Sequence, residues 1–140
     1  FYIMKEGFSI VTEVVLPSDY QSLIDVEKLF GGICEEFGVK EDAFGNVLIA
    51  VSEAVNNAIQ HGNKDIPDAK VELKVGDHNE LFCIQVKDEG KGFGFLELPD
   101  PTAPENLLKD SGRGVFLMKN LADEVEFLNT GSVVNLYFHK

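Results

Sequence analysis

The most informative stretch of this sequence is Ser52-Glu53-Ala54-Val55-Asn56-Asn57-Ala58-Ile59-Gln60-His61-Gly62, which ends a longer segment beginning at Glu41. Apolar residues recur in that segment at steps of three and four, the period of an amphipathic helix: Phe44, Val47, Leu48, Val51, Val55 and Ala58. The spacing predicts a helix from Glu41 to Gly62, with Gly62 as the residue that ends it.

The side of this helix opposite the apolar stripe has an unusual composition. Glu53 and Asn57 are four residues apart, so their side chains point the same way. Ile49, Asn56 and Gln60 share that side, which contains no lysine. A solvated helix face is usually rich in Lys and Glu, whereas this composition suits a face directed into a polar cavity. On this stretch alone the functional and the solvated interpretations are equally good.

Length and composition favour a soluble globular protein with one domain, residues 1–140. The hydrophobic content of 44% is sufficient for a core, and no apolar run approaches the ~18 residues of a membrane span. No signal peptide is apparent. Cys34 and Cys83 lie in apolar segments, which predicts buried free thiols in a cytoplasmic protein. The cysteines and histidines lack metal-ligand spacing, which argues against structural zinc.

Charge argues against direct nucleic-acid binding, because the net charge is −12. A phosphate ligand would therefore need local cations or a metal ion. The only arginine, Arg113, stands between Gly112 and Gly114, and lysines lie nearby in sequence at positions 87, 91 and 109.

The order of predicted elements is β-α-α-β-β-loop-α-β-β. The strands are expected at Phe8–Leu16, Ala69–Val75, Leu81–Lys87, Glu124–Leu128 and Val133–Phe138. One helix precedes Gly38, the second is Glu41–Gly62, and a short third runs from Val115 to Leu121. Antiparallel hairpins with the helices gathered on one face predict an α+β two-layer sandwich and not a doubly wound sheet.

Two glycine motifs follow the helical segment. Asp88-x-Gly90-x-Gly92 comes directly after a strand, and Gly112-x-Gly114 precedes the third helix. Glycines allow a positive φ and close backbone approach, and a helix N-terminus after glycines is a natural phosphate site. Taken singly, each motif is better explained as an ordinary turn.

The joint order of the three motifs resembles the ATP-binding site of the GHKL superfamily, most closely that of the small anti-sigma factor serine kinases. Ser52 to Gly62 is similar to their first box. Val86-Lys87-Asp88-Glu89-Gly90-Lys91-Gly92-Phe93 is similar to the second. Ser111-Gly112-Arg113-Gly114-Val115-Phe116-Leu117-Met118-Lys119 is similar to the third. The resemblance implies a Bergerat-type sandwich with a mixed, mostly antiparallel sheet and a long ATP lid, Phe93 to Ser111.

The resemblance also implies how ATP and Mg²⁺ would be bound. Asp88 would accept a hydrogen bond from the adenine amino group, and Gly90 and Gly92 would let base and sugar approach the backbone. Asn57 would be the Mg²⁺ ligand, since Mg²⁺ takes few protein ligands beside phosphate and water.

By the same resemblance, the remaining residues would bind the phosphates and catalyse the transfer. Gly112 and Gly114 would offer backbone N–H groups to the phosphates, and Arg113 or Lys109 would add positive charge. Glu53 is the predicted catalytic base, which would take the proton of a protein serine. His61 is interpreted as a partner of the helix dipole and not as a catalyst.

These implications predict an ATP-dependent protein-serine kinase that is also an anti-sigma factor. Its substrate would be an anti-anti-sigma protein of the STAS fold, and it would sequester a sigma factor and form a homodimer. Two alternatives remain open: a partner switch that binds ATP or ADP without transferring phosphate, and a histidine-kinase catalytic domain.

Overall fold

The computed structural model describes residues 3–90 and 113–140. Within these ranges the chain forms a five-stranded sheet covered by three helices. The elements, in chain order, are β1 (Ser9–Pro17), α1 (Gln21–Glu36), α2 (Glu41–Asn57), β2 (Lys70–Asp77), β3 (Leu81–Lys87), α3 (Arg113–Leu121), β4 (Glu124–Leu128) and β5 (Val133–His139). The predicted α+β fold is confirmed, and the predicted strands agree with the observed ones to within about two residues.

The strand order in the sheet is β1-β2-β3-β5-β4, and every neighbouring pair is antiparallel. A mixed, mostly antiparallel sheet was expected, so the described strands differ from the prediction only in having no parallel pair. The reason is that β4 and β5 form a hairpin at the edge, which returns β5 alongside β3 in the antiparallel sense.

The main core lies between the sheet and the helices. Strand residues at alternating positions face it, as Val71, Leu73 and Val75 do in β2, while Lys70, Glu72 and Lys74 point to the opposite face. All three helices contribute buried side chains to this one core, including Phe30, Val51 and Met118. The helices therefore cover a single face, as the two-layer prediction required.

Both cysteines are free and buried, as predicted. Cys83 lies in a small cluster on the other face of the sheet, with Met4 and Tyr137. Burial raises the pKa of its thiol to about 12, so the reactive thiolate is scarce at neutral pH. No helix of the described ranges is long and apolar enough to cross a membrane.

The end of α2 differs from the prediction in a way that matters for the site. Gly38 ends α1 with the expected positive φ of 69°. The helical segment after α2, in contrast, continues as a π-helical turn, Ala58–Gly62, and the capping position is Asn63. The helical segment thus ends at Gly62, as predicted, but its last turn is π-helical and Gly62 does not have the positive φ of a glycine cap. Such π turns occur frequently at functional sites.

Candidate functional site

The π-helical turn brings Gly62 directly against the residues that follow β3. A Cβ atom at Gly62 would overlap the Asp88 carboxyl group, and one at Gly90 would overlap the Gly62 carbonyl oxygen. Neither Gly62 nor Gly90 has a positive φ. These glycines are required by close packing between two chain segments and not by backbone conformation.

Asn63 holds this junction together. Its side-chain oxygen accepts the backbone N–H of Glu89 at 2.8 Å, and its amide donates to the Lys70 carbonyl at 3.0 Å. Its side chain also donates to the Ser18 hydroxyl at 3.2 Å. Asn63 is buried, so these bonds replace water and fix the Asp88 segment relative to the end of α2. Nothing in the sequence pattern singled out this residue.

This packing leads to a prediction about stability. Gly90→Ala should destabilise the protein by about 1–3 kcal/mol, because the added methyl group meets a backbone carbonyl that cannot move without displacing the π turn. Gly45→Ala in α2 is the matched control, since its methyl group meets nothing within 4 Å. It should stabilise the helix by about 0.5–1 kcal/mol. Urea unfolding measures both, and equal effects of the two substitutions would contradict the packing argument.

Asp88 is a buried carboxylate, only 7% exposed. Its Oδ1 accepts the Gly90 N–H at 2.8 Å, and its own backbone N–H donates to the Ser132 carbonyl at 2.9 Å. Desolvation raises the pKa of this carboxyl to about 6, although the Gly90 hydrogen bond opposes the shift. A carboxylate kept in a costly environment is typical of a functional site.

Asp88 lines a small cavity whose other walls are mostly apolar, among them Ala58, Met118, Phe127 and Val134. Its volume is about 10 Å³, which is roughly the room for one water molecule. A purine ring is far larger, so side chains in this wall must move before a base can reach Asp88. Gly131 and Ser132 from the β4–β5 turn also line it, so that turn contributes to the cavity as well as forming the hairpin.

A larger cavity of about 260 Å³ adjoins α2 and the start of α3. Its lining consists of polar and charged residues and one glycine: Glu53, Asn56, Asn57, Gln60, His61, Arg113 and Gly114. Asn57 also lines the small cavity. Asn57 therefore forms a wall that the two cavities share, with Glu53 lining the larger cavity and Asp88 lining the smaller one.

The carboxylate of Glu53 lies at the N-terminal end of α3. A Cβ atom at Gly114 would stand 3.2 Å from Glu53 Oε2, so the glycine lets the first turn of α3 approach this carboxylate closely. Backbone N–H groups at a helix N-terminus favour negative charge. An anion in the cavity would thus contact the same helix end that Glu53 now faces.

The structure brings together six of the nine residues predicted for the site. Glu53, Asn57, Arg113 and Gly114 line the large cavity, while Asp88 and Gly90 lie at the other end of the site. Gly92, Lys109 and Gly112 lie outside the described residues, as does the predicted lid. Their predicted roles stay predictions.

Sequence reasoning did not assign a site role to three residues that line the large cavity: Asn56, Gln60 and His61. Asn56 and Gln60 had been placed on the polar side of the helix without a function. His61 lies in the last turn, as expected, but its side chain also borders the cavity. His61 follows Asn57 by four residues, so the helical period could have predicted that the two side chains lie on the same side of the helix.

Comparison with known proteins identifies the family. The profile of the histidine kinase-like ATPase domain matches residues 16–138, which is most of the chain. The chain belongs to the histidine kinase-like ATPase family. The resemblance to the GHKL superfamily drawn from the three motifs is thereby confirmed.

Among its relatives are proteins named serine-protein kinase RsbW. The one from Bacillus subtilis is 28% identical over 127 residues, which cover 86% of this chain and 79% of the relative. The one from Bacillus pumilus is 29% identical over 140 residues, covering 94% and 86%. The one from Bacillus licheniformis is 33% identical over 113 residues, covering 75% and 70%.

The donor set of the cavity fits a nucleotide with Mg²⁺. Mg²⁺ usually takes one or two protein oxygens and completes its shell with phosphate oxygens and water. The Asn57 amide, which borders both cavities, can supply one such oxygen. Arg113 and the N-terminus of α3 provide positive potential on the opposite wall, which suits phosphate.

Proposed function

We propose that this histidine kinase-like ATPase domain is an ATP-dependent protein-serine kinase and anti-sigma factor. It phosphorylates a STAS-type anti-anti-sigma protein and, when that antagonist is phosphorylated, sequesters a sigma factor. The observation that carries the proposal is that Asn57 borders both the cavity lined by Asp88 and the cavity lined by Glu53. The similarity to proteins named serine-protein kinase RsbW supports the choice of substrate class.

The Asp88 end of the site binds the base. A carboxylate only accepts hydrogen bonds, so Asp88 pairs with the exocyclic amino group of adenine. Guanine presents a carbonyl oxygen at that place and is rejected, because two acceptors would then face each other. Gly90, with Gly92, leaves room for the base and sugar beside the backbone.

The Glu53 end of the site holds the phosphates and the reacting hydroxyl. Asn57 contributes its side-chain oxygen to Mg²⁺, and Gly112 and Gly114 present N–H groups, with Arg113 or Lys109 adding charge. ATP supplies the γ-phosphoryl group, and a Mg²⁺ ion held by Asn57 would supply positive charge to offset the charge that develops on it. Glu53 takes the proton of the serine hydroxyl while Oγ forms its bond to the γ-phosphorus and the bond to the ADP oxygen breaks.

The partners follow from the proposed activity. They are a STAS-domain protein that carries the acceptor serine and a sigma factor, met in the cytoplasm by a homodimer of this chain. The chain acts through these proteins and does not contact nucleic acid or membrane directly, in keeping with its net charge of −12.

The pH dependence of ATP binding should report on Asp88. Because burial raises the pKa of this carboxyl to about 6, it loses its charge as the pH falls through that value. At pH 5 only about a tenth of the groups remain ionised, so ATP affinity should fall about tenfold between pH 7.5 and pH 5. Calorimetric titration at both pH values measures the change. Asp88→Asn serves as the control for titration of the nucleotide itself, and an equal pH dependence in both proteins would contradict the assignment.

A phosphotransfer assay tests the proposed function. The purified chain is incubated with Mg-ATP and STAS-domain proteins, and phosphoserine is sought by mass spectrometry. Phosphorylation of one serine in one STAS protein is the expected result. Nucleotide binding without any transfer would instead favour a partner switch.

A further inference from the structure

Asn63 is the residue at which several segments of the chain converge. Only 4% of it is exposed. Its backbone N–H closes the π-helical turn by donating to the Ala58 carbonyl at 2.8 Å. Its side chain bonds to the backbone of Glu89, to the backbone of Lys70 and to the Ser18 hydroxyl. One buried side chain thus connects the end of the helical segment with the loop before α1, the start of β2 and the chain after β3.

The bond to Glu89 acts on Asp88 through the peptide group that joins these two residues. A peptide group is planar, so a fixed direction for the Glu89 N–H also fixes the direction of the Asp88 carbonyl. The preceding peptide group is held as well, because the Asp88 N–H donates to the Ser132 carbonyl at 2.9 Å. The direction in which the Asp88 side chain leaves the backbone is therefore set from both sides.

The same helical turn also makes room for the carboxylate itself. Gly62 directly precedes Asn63, and a Cβ atom at Gly62 would overlap the Asp88 carboxyl group. A π turn accommodates one residue more than an α turn, so it changes the direction in which the following residue points. The residue that leaves space for the carboxylate and the residue that holds its backbone are thus neighbours, and the π turn directs both of them toward Asp88.

The chemistry of an asparagine amide matches the three partners of this side chain. The oxygen of Asn63 meets a donor, the Glu89 N–H, whereas its NH₂ group meets two acceptors, the Lys70 carbonyl and the Ser18 hydroxyl. Aspartate would set two acceptors against each other at Lys70 and add a second negative charge near the buried Asp88. An apolar side chain would leave buried backbone groups without partners.

We propose that Asn63 is a positioning residue that orients the Asp88 carboxylate toward the amino group of adenine and so sets the selectivity of the site for this base. Asn63 needs no contact with the nucleotide for this role, because it acts through the Asp88–Glu89 peptide group. The inference deepens the proposed function and rests on its assignment of the base to Asp88. Hydrogen bonds weaken steeply when donor and acceptor are misaligned, so a carboxylate that is free to turn discriminates less.

The test compares Asn63→Ala with Asn135→Ala. Asn135 is also fully buried, and its side chain accepts a hydrogen bond from Gln85 Nε2 at 2.9 Å and donates to Glu126 at 3.1 Å. These bonds lie on the face of the sheet that carries Cys83, away from the helices. The control therefore removes a buried amide with a similar number of partners and leaves the bond between Asn63 and Glu89 in place.

Two nucleotides measure the selectivity: Mg-ATP and the Mg²⁺ complex of purine riboside triphosphate, which lacks only the 6-amino group of ATP. Calorimetric titration at pH 7.5 gives a Kd for each, and the ratio of the two reports the contact between Asp88 and the amino group. Asn63→Ala should weaken ATP binding at least about tenfold and change the Kd of the analogue by less than about threefold. Asn135→Ala should keep the wild-type ratio, although both substitutions should lower the urea midpoint.

The outcomes separate this inference from the proposed function. Neither Kd requires phosphate transfer, so a chain without kinase activity is tested in the same way. A wild type that binds ATP and the analogue equally would contradict the proposed base site and overturn the inference with it. A selective wild type with an equally selective Asn63→Ala protein, or the same loss of selectivity in Asn135→Ala, would overturn the inference alone and leave the assignment of Asp88 intact.

A milder variant and a second readout keep the test decisive if Asn63→Ala does not fold. The hydroxyl of Asn63→Ser, with one water molecule, can replace part of the lost hydrogen bonds, so its selectivity should lie below that of the wild type. Without nucleotide, the Gly90 N–H donates to Asp88 Oδ1, so hydrogen exchange at Gly90 reports whether the carboxylate is held. Exchange there should be faster in Asn63→Ser than in Asn135→Ala. Wild-type selectivity in Asn63→Ser, or equal exchange at Gly90 in both variants, would overturn the inference.

Discussion

The Glu53→Gln variant should bind ATP with wild-type affinity and transfer phosphate to serine about 10²–10⁴-fold more slowly. Glutamine has the shape of glutamate but accepts no proton at neutral pH. The serine hydroxyl would then have to lose its proton to water, which is poorly placed for it. The expected loss therefore falls on the rate constant of transfer and not on the Kd for nucleotide.

The surroundings of Glu53 indicate that the Glu53→Gln substitution should change the chemistry of this side chain without disturbing the packing. Its carboxylate lies against the first turn of α3, close to the position that a Cβ of Gly114 would take. Gln fills the same space, so packing between α2 and α3 should be preserved. Removing one negative charge beside the helix N-terminus should, if anything, ease the approach of phosphate.

Two control variants sharpen this measurement. Glu41→Gln makes the same chemical change in the exposed first turn of α2 and should leave the transfer rate unchanged. Glu53→Asp keeps a carboxylate but withdraws it by one methylene group, so an intermediate rate is expected. A Glu53→Gln protein that retained a third of the wild-type rate would show that Glu53 is not the base.

The Asp88→Asn variant should lose at least about 100-fold in ATP affinity and yet be more stable than the wild type. A carboxylate has two acceptor oxygens, whereas an amide has one oxygen and one NH₂ donor. Since Asp88 Oδ1 accepts the Gly90 N–H, the amide would direct its donor toward the adenine amino group. Two facing donors in a buried site leave both unsatisfied, and that costs about 3 kcal/mol.

The Asp88→Asn substitution should raise stability although it lowers ATP affinity, and the reason is the raised pKa of the Asp88 carboxyl. Burial raises the pKa of Asp88 from 3.8 to about 6, so the folded state binds more protons than the unfolded state between these values. The ionised carboxylate thus destabilises the fold at pH 7, and removing its charge should stabilise the protein by up to about 3 kcal/mol. The gain should shrink as the pH falls below 6, where the wild-type carboxyl is itself neutral.

Urea unfolding without nucleotide, at pH 7.5 and pH 5, measures this difference. The matched control is Asp77→Asn, which changes a carboxylate at the end of β2 that forms an ion pair with Lys140 at 2.5 Å. Because that pair is partly exposed, its loss should destabilise slightly or not at all. Equal stability of the Asp88→Asn protein and the wild type at pH 7.5 would contradict the buried-charge argument, and unchanged ATP affinity would contradict the site assignment.

Local patterns were sufficient to predict the fold. Clean alternation in β2 and the apolar run of β3 fixed which strands were half buried and which were central, and β3 was predicted at Leu81–Lys87, the observed bounds. The antiparallel pairing of β3 with β5 depends on contacts between residues far apart in sequence. No local pattern reports such contacts. The expectation of a mixed sheet came from the family resemblance, whereas the local patterns predicted antiparallel hairpins, and every pair among the described strands is antiparallel.

The site was only partly predictable, because some of its features depend on local spacing and others on contacts between distant segments. The four-residue spacing of Glu53 and Asn57 is local, and the structure places both side chains on one cavity. The junction of Gly62, Asn63 and Asp88 depends instead on a π turn that meets a strand end. Helical periodicity assumes regular α geometry, so the turn was interpreted as a simple glycine ending. The small size of the cavity at Asp88 is set by packing and has no signature in sequence.

The central claim is that Asp88, Asn57 and Glu53 belong to one nucleotide site that ends in a catalytic base. A crystal structure with Mg²⁺ and a non-hydrolysable ATP analogue tests it most directly. The expected structure has the adenine amino group about 2.9 Å from Asp88, Mg²⁺ bound to the Asn57 oxygen, and the γ-phosphate beside Glu53. An adenine bound away from Asp88, or a γ-phosphate pointing away from Glu53, would contradict the claim.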